Sequence, residues 1–200
     1  MHPDRQFRWE DHDAMRAFVG AHRFGALFAE TPDGPCVAHV PVVWLDDDRI
    51  GFHLSRGNRL ARHLDGARAL FLADGPHGYV SPDWYGMDDQ VPTWNYVAVE
   101  LEGVVSAMDA VDLPALIDAL SQDSESRLMP KPVWTRDKMT PGLFERMLGA
   151  ITGYSMQVSD WRGTYKLGQN KPEAARNAAA DGLEAAGDHA IAALMRAGIR

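Results

Sequence analysis

The sequence predicts a mainly β protein with flanking helices, organised as a single domain over residues 1–200 with a helical C-terminal extension from about residue 172. Three observations carry that expectation. Apolar and polar residues alternate with period two through the middle of the chain, and turns rich in Gly, Pro and Asp separate the alternating runs at short intervals. Apolar residues recur at helical spacing only near the N-terminus and beyond Asp109. Short antiparallel connections favour closure into a barrel, which removes exposed strand edges.

Each element follows in order. Asp11 or Asp13 caps a helix over Asp13 to His22, with Ala14, Ala17, Phe18 and Ala21 on one face. "FGALFAE" and "CVAHVPVVW" flank the turn "TPDGP", so Phe24 to Glu30 and Cys36 to Trp44 are expected to pair. "LDDDR" turns the chain into Ile50 to Leu54. Ala67 to Ala73, a short piece at Tyr79 to Ser81 and the long Thr93 to Ala107 complete this set, the last alternating clearly at Val97, Val99 and Leu101. Asp112 then caps "LPALIDALSQ", and Thr140 caps "PGLFERMLGAI" with Pro141 at the first helical position. The polar, proline-broken "SQDSESRLMPKPVW" between them is a surface loop. "GYSMQVSDW" returns to the sheet, and the alanine-rich "KPEAARNAAADGLEAAGDHAIAALMRAG" leaves it as helix.

Composition narrows the function classes. With 46% hydrophobic and 24% charged residues, the 200-residue chain can fill one core. Its apolar stretches fall far short of the roughly 20 residues of a membrane span. "MHPDRQFRWEDHD" lacks a signal-peptide centre, so a cytoplasmic protein is expected. Cys36 is the only cysteine, which excludes an internal disulfide and a Cys-x-x-Cys motif. His39, His53 and His77 lack the short spacing of a zinc motif, so no metal site is expected. The net charge of -8 opposes non-specific attraction to nucleic acid, and direct DNA binding is doubtful on that ground.

The densest positive stretch of the first half, "SRGNRLARHLDGAR", suits a smaller anion. It follows an alternating strand and reads as a polar turn opening a helix, where unpaired N–H groups and a partial positive charge favour phosphate. Ser55, Arg56, Asn58 and Arg59 add a hydroxyl, an amide and two guanidinium groups, and guanidinium binds phosphate bidentately. The same residues could equally form a solvated capping turn.

Taken in sequence, this stretch, "GPHGYVSPDWY", "VPTWNY" and "YKLGQN" resemble the PaiB-type FMN-binding negative transcriptional regulators, which are related to pyridoxamine-phosphate oxidase. The resemblance runs from about Phe24 to Asn170. It implies a six-stranded Greek-key FMN-binding split barrel, a homodimer, and FMN as cofactor. Residue by residue it implies that Ser55 and Arg56 hold the FMN phosphate with Asn58 and Arg59 adjacent, that Trp94, Asn95 and Tyr96 border the flavin ring, and that Lys166, Gln169 and Asn170 belong to a C-terminal segment near the flavin. Where the wider superfamily often has a lysine after the Ser-Arg pair, this chain has Gly57. Trp84, Tyr85, Trp94 and Tyr96 serve equally well as core or interface anchors. Two other functions stay open beside flavin-linked regulation. One is a flavin-dependent oxidoreductase or flavin reductase acting on a small planar substrate, and the other is haem binding through His39, His53 or His77.

Overall fold

The computed structural model describes residues 2–198. The chain forms two compact units: Met1–Met15, Asp74–Glu100 and Arg162–Arg200 make the first, and Arg16–Ala73 with Leu101–Trp161 the second. Three long strands, β6 (Arg68–Val80), β7 (Thr93–Ala107) and β8 (Ile151–Lys166), run through both.

In the second unit the N-terminal helix α1 (His12–His22, of which residues 16–22 lie here) leads into β2 (Phe24–Thr31) and β3 (Gly34–Pro41). These two strands form a hairpin with Leu27 opposite Ala38 and Phe28 opposite Val37. The short β4 (Val43–Trp44) pairs with β5 (Arg49–Ser55), which in turn pairs with β8. Inward residues at every second position, among them Leu27, Val40, Ile50, Phe52, Phe71 and Met156, are removed from water and form the core. Helix α2 (Leu113–Glu125) lies close over β5 and β8 because glycines face it. A Cβ at Gly51 would stand 2.8 Å from Leu116, and one at Gly153 would stand 3.0 Å from Leu113. The short helix α3 (Leu143–Leu148) completes this unit.

The first unit contains β1 (Arg8–Trp9), paired with the end of β8 through Arg8 opposite Thr164, and two C-terminal helices, α4 (Glu173–Ala185) and α5 (His189–Ala197). The two helices form a hairpin that buries Ala179, Leu183, Ile191 and Met195. Gly187, at φ 96°, makes the turn between them, a conformation that costs glycine nothing.

The expected six-stranded closed barrel is not what forms. Among the described residues there are eight strands in one sheet, and the hydrogen-bonded order β3-β2-β6-β7-β8-β5-β4 is open, with β1 attached to β8. All strand pairs with an assigned register are antiparallel. The expected strand over Cys36 to Trp44 is cut at Val42, whose N–H donates to Arg23 O at 2.8 Å, and Pro41 before it has no N–H to extend a ladder. Its two pieces therefore sit at the two ends of the strand order.

Other boundaries move for local reasons. The strands expected over Ala67 to Ala73 and Tyr79 to Ser81 are joined into one, β6 (Arg68–Val80), which leaves out Ala67 and Ser81; its ladder to β2 ends at Leu72, so Pro76 withholds no donor from that ladder. The helix expected after Asn58 is a single 3-10 turn, Ala61–His63, and the helix expected after Thr140 begins only past Gly142, which sits at φ 75°. The alanine-rich tail is two helices rather than one.

Candidate functional site

The residues singled out from the sequence fall into two groups, one in each unit. In the second unit, β5 delivers Ser55 to a tight polar turn. Ser55 Oγ accepts from the Gly57 N–H at 3.3 Å, Asn58 Oδ1 accepts from the Leu60 N–H at 2.9 Å, and the Asn58 N–H donates to Ser55 O. Leu60 and Leu64 are fully buried, which nails the turn to the core. Arg56 is pinned to β8: its N–H donates to Ala150 O at 2.9 Å and its Nε to Ile151 O at 3.2 Å. Tyr154 OH donates to Ala61 O at 2.8 Å, and burial pushes this phenol up, so it stays a donor across the physiological range.

A three-residue 3-10 turn has almost no macrodipole, so the anion site expected of a helix N-terminus is not built here. What the turn does present is charge. Arg56 and Arg59 are both exposed, and Arg59 has no acceptor among the described residues.

In the first unit, alternation sends His77 and Tyr79 of β6 and Trp94 of β7 outward, while Gly78 and Asn95 point in. The three outward rings touch: centroids are 6.0 Å apart for Tyr79 and Trp94 at 70°, and 6.2 Å for His77 and Trp94. Trp94 is 55% exposed, whereas Asn95 is 1% exposed and donates from Nδ2 to Met195 Sδ at 3.2 Å. Lys166 Nζ donates to Thr93 Oγ1 at 2.6 Å and lies 5.8 Å from the Phe7 ring; burial pulls its ammonium below the ordinary lysine value. Gln169 is occupied by the backbone, accepting from the Leu167 N–H and donating to Gln6 O and Tyr165 O. Asn170 is exposed and Tyr96 half-buried. Trp84 is an anchor for α4, since a Cβ at Gly182 would fall 2.3 Å from its ring, and Tyr85 is buried beneath Lys171.

What the sequence pattern does not give is the contact of Tyr79 and His77 with Trp94, although the alternation across "HGYV" carries the outward direction of both. A cavity of about 500 Å³ opens between α2 and residues 134–137, lined by Trp134 and the Asp118–Arg136 ion pair; none of the expected cofactor residues borders it. Among the described residues no group of three or more His, Cys, Asp or Glu could hold a metal, and no helix is long and apolar enough to cross a membrane.

The fold is shared with solved proteins. The chain is similar to the FAD and haem binding protein from Mycobacterium smegmatis, with a TM-score of 0.59 at 15% identity over 80% of this chain and 74% of that one. It is also similar to the flavocytochrome Anf3 from Azotobacter vinelandii, with a TM-score of 0.57 at 19% identity over 84% and 73%. At such identities the fold is what is shared. In sequence, it is 29% identical over 177 residues to the protease synthase and sporulation protein PAI 2 of Bacillus subtilis, spanning 86% of this chain and 84% of that protein. Residues 1–160 match the family described as "Putative FMN-binding domain", and the chain belongs to that family.

Proposed function

We propose that this chain is an FMN-binding protein in which the turn at Ser55–Arg59 holds the cofactor's phosphate. The observation that carries the reading is Arg56, an exposed residue fixed by its Nε to Ile151 O, with exposed Arg59 three residues on. A pre-positioned guanidinium loses less freedom on binding phosphate than a free one. The family to which residues 1–160 belong supports FMN as the ligand. Separately, the first unit exposes an aromatic surface of Trp94, Tyr79 and His77 that suits a planar ring, with Lys166 and Asn170 as donors, and no arrangement of this surface relative to the Ser55–Arg59 turn is part of the proposal. Bound FMN would supply electron transfer; the residues of this chain bind, orient and shield it.

The function is read as regulatory. The Bacillus relative's name links that protein to protease synthesis and sporulation, which supports a PaiB-type role. Direct DNA contact is not part of the proposal: of Arg127, Lys131, Arg136 and Lys138, the positive groups that could build a second patch, the first three are paired with Asp123, Glu125 and Asp118 of α2. A second copy of the chain is proposed to cover Phe28 and Val37, which sit directly opposite each other and are exposed, together with exposed Phe24.

The test is a titration of the purified chain with FMN and with riboflavin, which lacks the phosphate. FMN should bind at least about tenfold more tightly, given the strength of charge-assisted bonds, and Arg56→Ala should erase most of the difference. Equal binding of both, or a haem spectrum in the purified protein, overturns the assignment.

A further inference from the structure

We infer that the α4–α5 hairpin controls the aromatic edge of the first unit, with Asn95 as a positioning residue that holds Trp94 in place through Met195. The geometry places the hairpin directly behind the two strand segments that carry the rings. Gly78 lies between His77 and Tyr79 on β6, and a Cβ there would stand 2.7 Å from Leu183 Cδ2 of α4 and 3.0 Å from Ile191 Cγ2 of α5. Asn95 lies between Trp94 and Tyr96 on β7, and its amide, 1% exposed, donates to Met195 Sδ of α5. These two inward residues are thus covalently flanked by outward ring residues, because side chains alternate across a strand.

The chemistry of the Asn95 contact sets it apart from passive packing. Asn95 is polar in a position otherwise filled by core residues: Val97, Val99 and Leu101 follow it on the same side of β7 and are fully buried. A buried amide that loses its acceptor must find water, and it can do so only by opening the strand around it. Removing or shifting α5 therefore acts on Trp94 without touching it. The hairpin and any planar ligand stacked on Trp94 become thermodynamically linked, each favouring the ordered form of the same two strand segments. The ligand half of this inference rests on the proposed flavin reading; the structural half does not.

The experiment uses the full-length chain and compares wild type, Met195→Leu, and the double variant Asn95→Val with Met195→Leu. Amide hydrogen exchange is followed over residues 77–80 and 93–97, with residues 24–41 of the second unit as the internal reference, and FMN titrations run in parallel. Met195→Leu should speed exchange at 93–97 by about tenfold or more while the reference changes little, and should weaken FMN by a similar factor, as expected for a buried amide left without its acceptor. The double variant, with no amide to satisfy, should return exchange at 93–97 to within about threefold of wild type. Gly78→Ala, which pushes the hairpin from the other strand, should speed exchange at 77–80 and stands in if Met195→Leu does not fold. Unchanged exchange at 93–97, an equal rise in the reference segment, or no recovery in the double variant overturns the inference. A wild-type chain that fails to bind FMN sinks the flavin reading alone, because exchange decides the coupling without any ligand.

Discussion

Residues 126–138 and the α4–α5 hairpin are both additions to the sheet, and they are held by opposite means. The segment after α2 is tied by charge: Arg127 to Asp123 at 3.4 Å, Arg136 to Asp118 at 3.4 Å, Lys131 to Glu125, and the Trp134 N–H to Glu125 Oε2 at 2.9 Å. Of its apolar residues, Leu128 and Met129 remain exposed and Val133 and Trp134 are only half-buried. The hairpin buries Ala175, Ala179, Ala180, Leu183, Ile191, Ala192 and Met195. Exposed ion pairs are worth about 0–1 kcal/mol and are screened by salt, whereas burying one large aliphatic side chain contributes about 1.5–3 kcal/mol. The hairpin therefore belongs to the cooperative fold, and the charged segment opens at little cost.

The harshest test of that difference is Leu183→Ala. Leu183 is fully buried, and its Cδ2 is the atom that would meet a Cβ at Gly78, so truncation leaves a cavity between helix and strand. Stability measured by urea unfolding should fall by about 2–5 kcal/mol. A loss under about 1 kcal/mol would mean that the hairpin is an appendage after all.

Which of these regions could be read from sequence follows from how far apart the partners lie. The strand over Thr93–Ala107 is found with its limits as expected, because alternation is local and Val97, Val99 and Leu101 all face the core. The helical tail was likewise visible, though its break at Gly187 was not, since alanines on both sides keep the helical period going. "RLARHL" looks like a helix because arginine and leucine favour one, yet Leu60 and Leu64 are drawn into the core and tertiary burial overrides propensity. The Arg56 tie to Ile151 and the Asn95 tie to Met195 join residues 95 and 100 positions apart, and no local pattern announces either. Closure into a barrel failed as an expectation where the strand breaks at Pro41 and Val42, the first without an N–H and the second with its N–H captured by Arg23 O.

A middle-sized effect sharpens the comparison by separating α2 from the segment that follows it. His53 on β5 stands directly opposite Gly153, on the face where Leu113 and Leu116 of α2 approach the sheet. Its Nδ1 is buried with no hydrogen-bond partner among the described residues, and burial pulls the imidazole below its ordinary value. The fold disfavours the charged ring, so the unfolded chain takes up the proton first. The His53 contribution is fully present above about pH 6.5 and is lost as the pH falls from there through the lowered folded value. Urea midpoints at pH 8 and pH 5.5 should show this loss for the wild type and a flatter profile for His53→Leu. An equally steep fall in the variant would place the titrating group elsewhere.

The smallest effect is expected at Glu125, where the charge-held segment has its hub. Its carboxylate accepts from Lys131 and from the Trp134 N–H, and these two bonds, the lysine's first, hold it below the ordinary carboxylate value. Because its charged form is favoured in the fold, its contribution is present above the ordinary carboxylate range and disappears on acidification through the lowered value. Glu125→Gln keeps the shape and removes the charge. Exchange over residues 126–138 should rise, and the melting temperature should drop slightly at low ionic strength but not at high salt, where the wild-type pair is already screened. The global unfolding free energy should hardly move, since the segment opens without the core. A loss from Glu125→Gln as large as that from Leu183→Ala, or one that persists at high salt, would show that residues 126–138 are packed into the fold as firmly as the hairpin and would erase the distinction between the two regions.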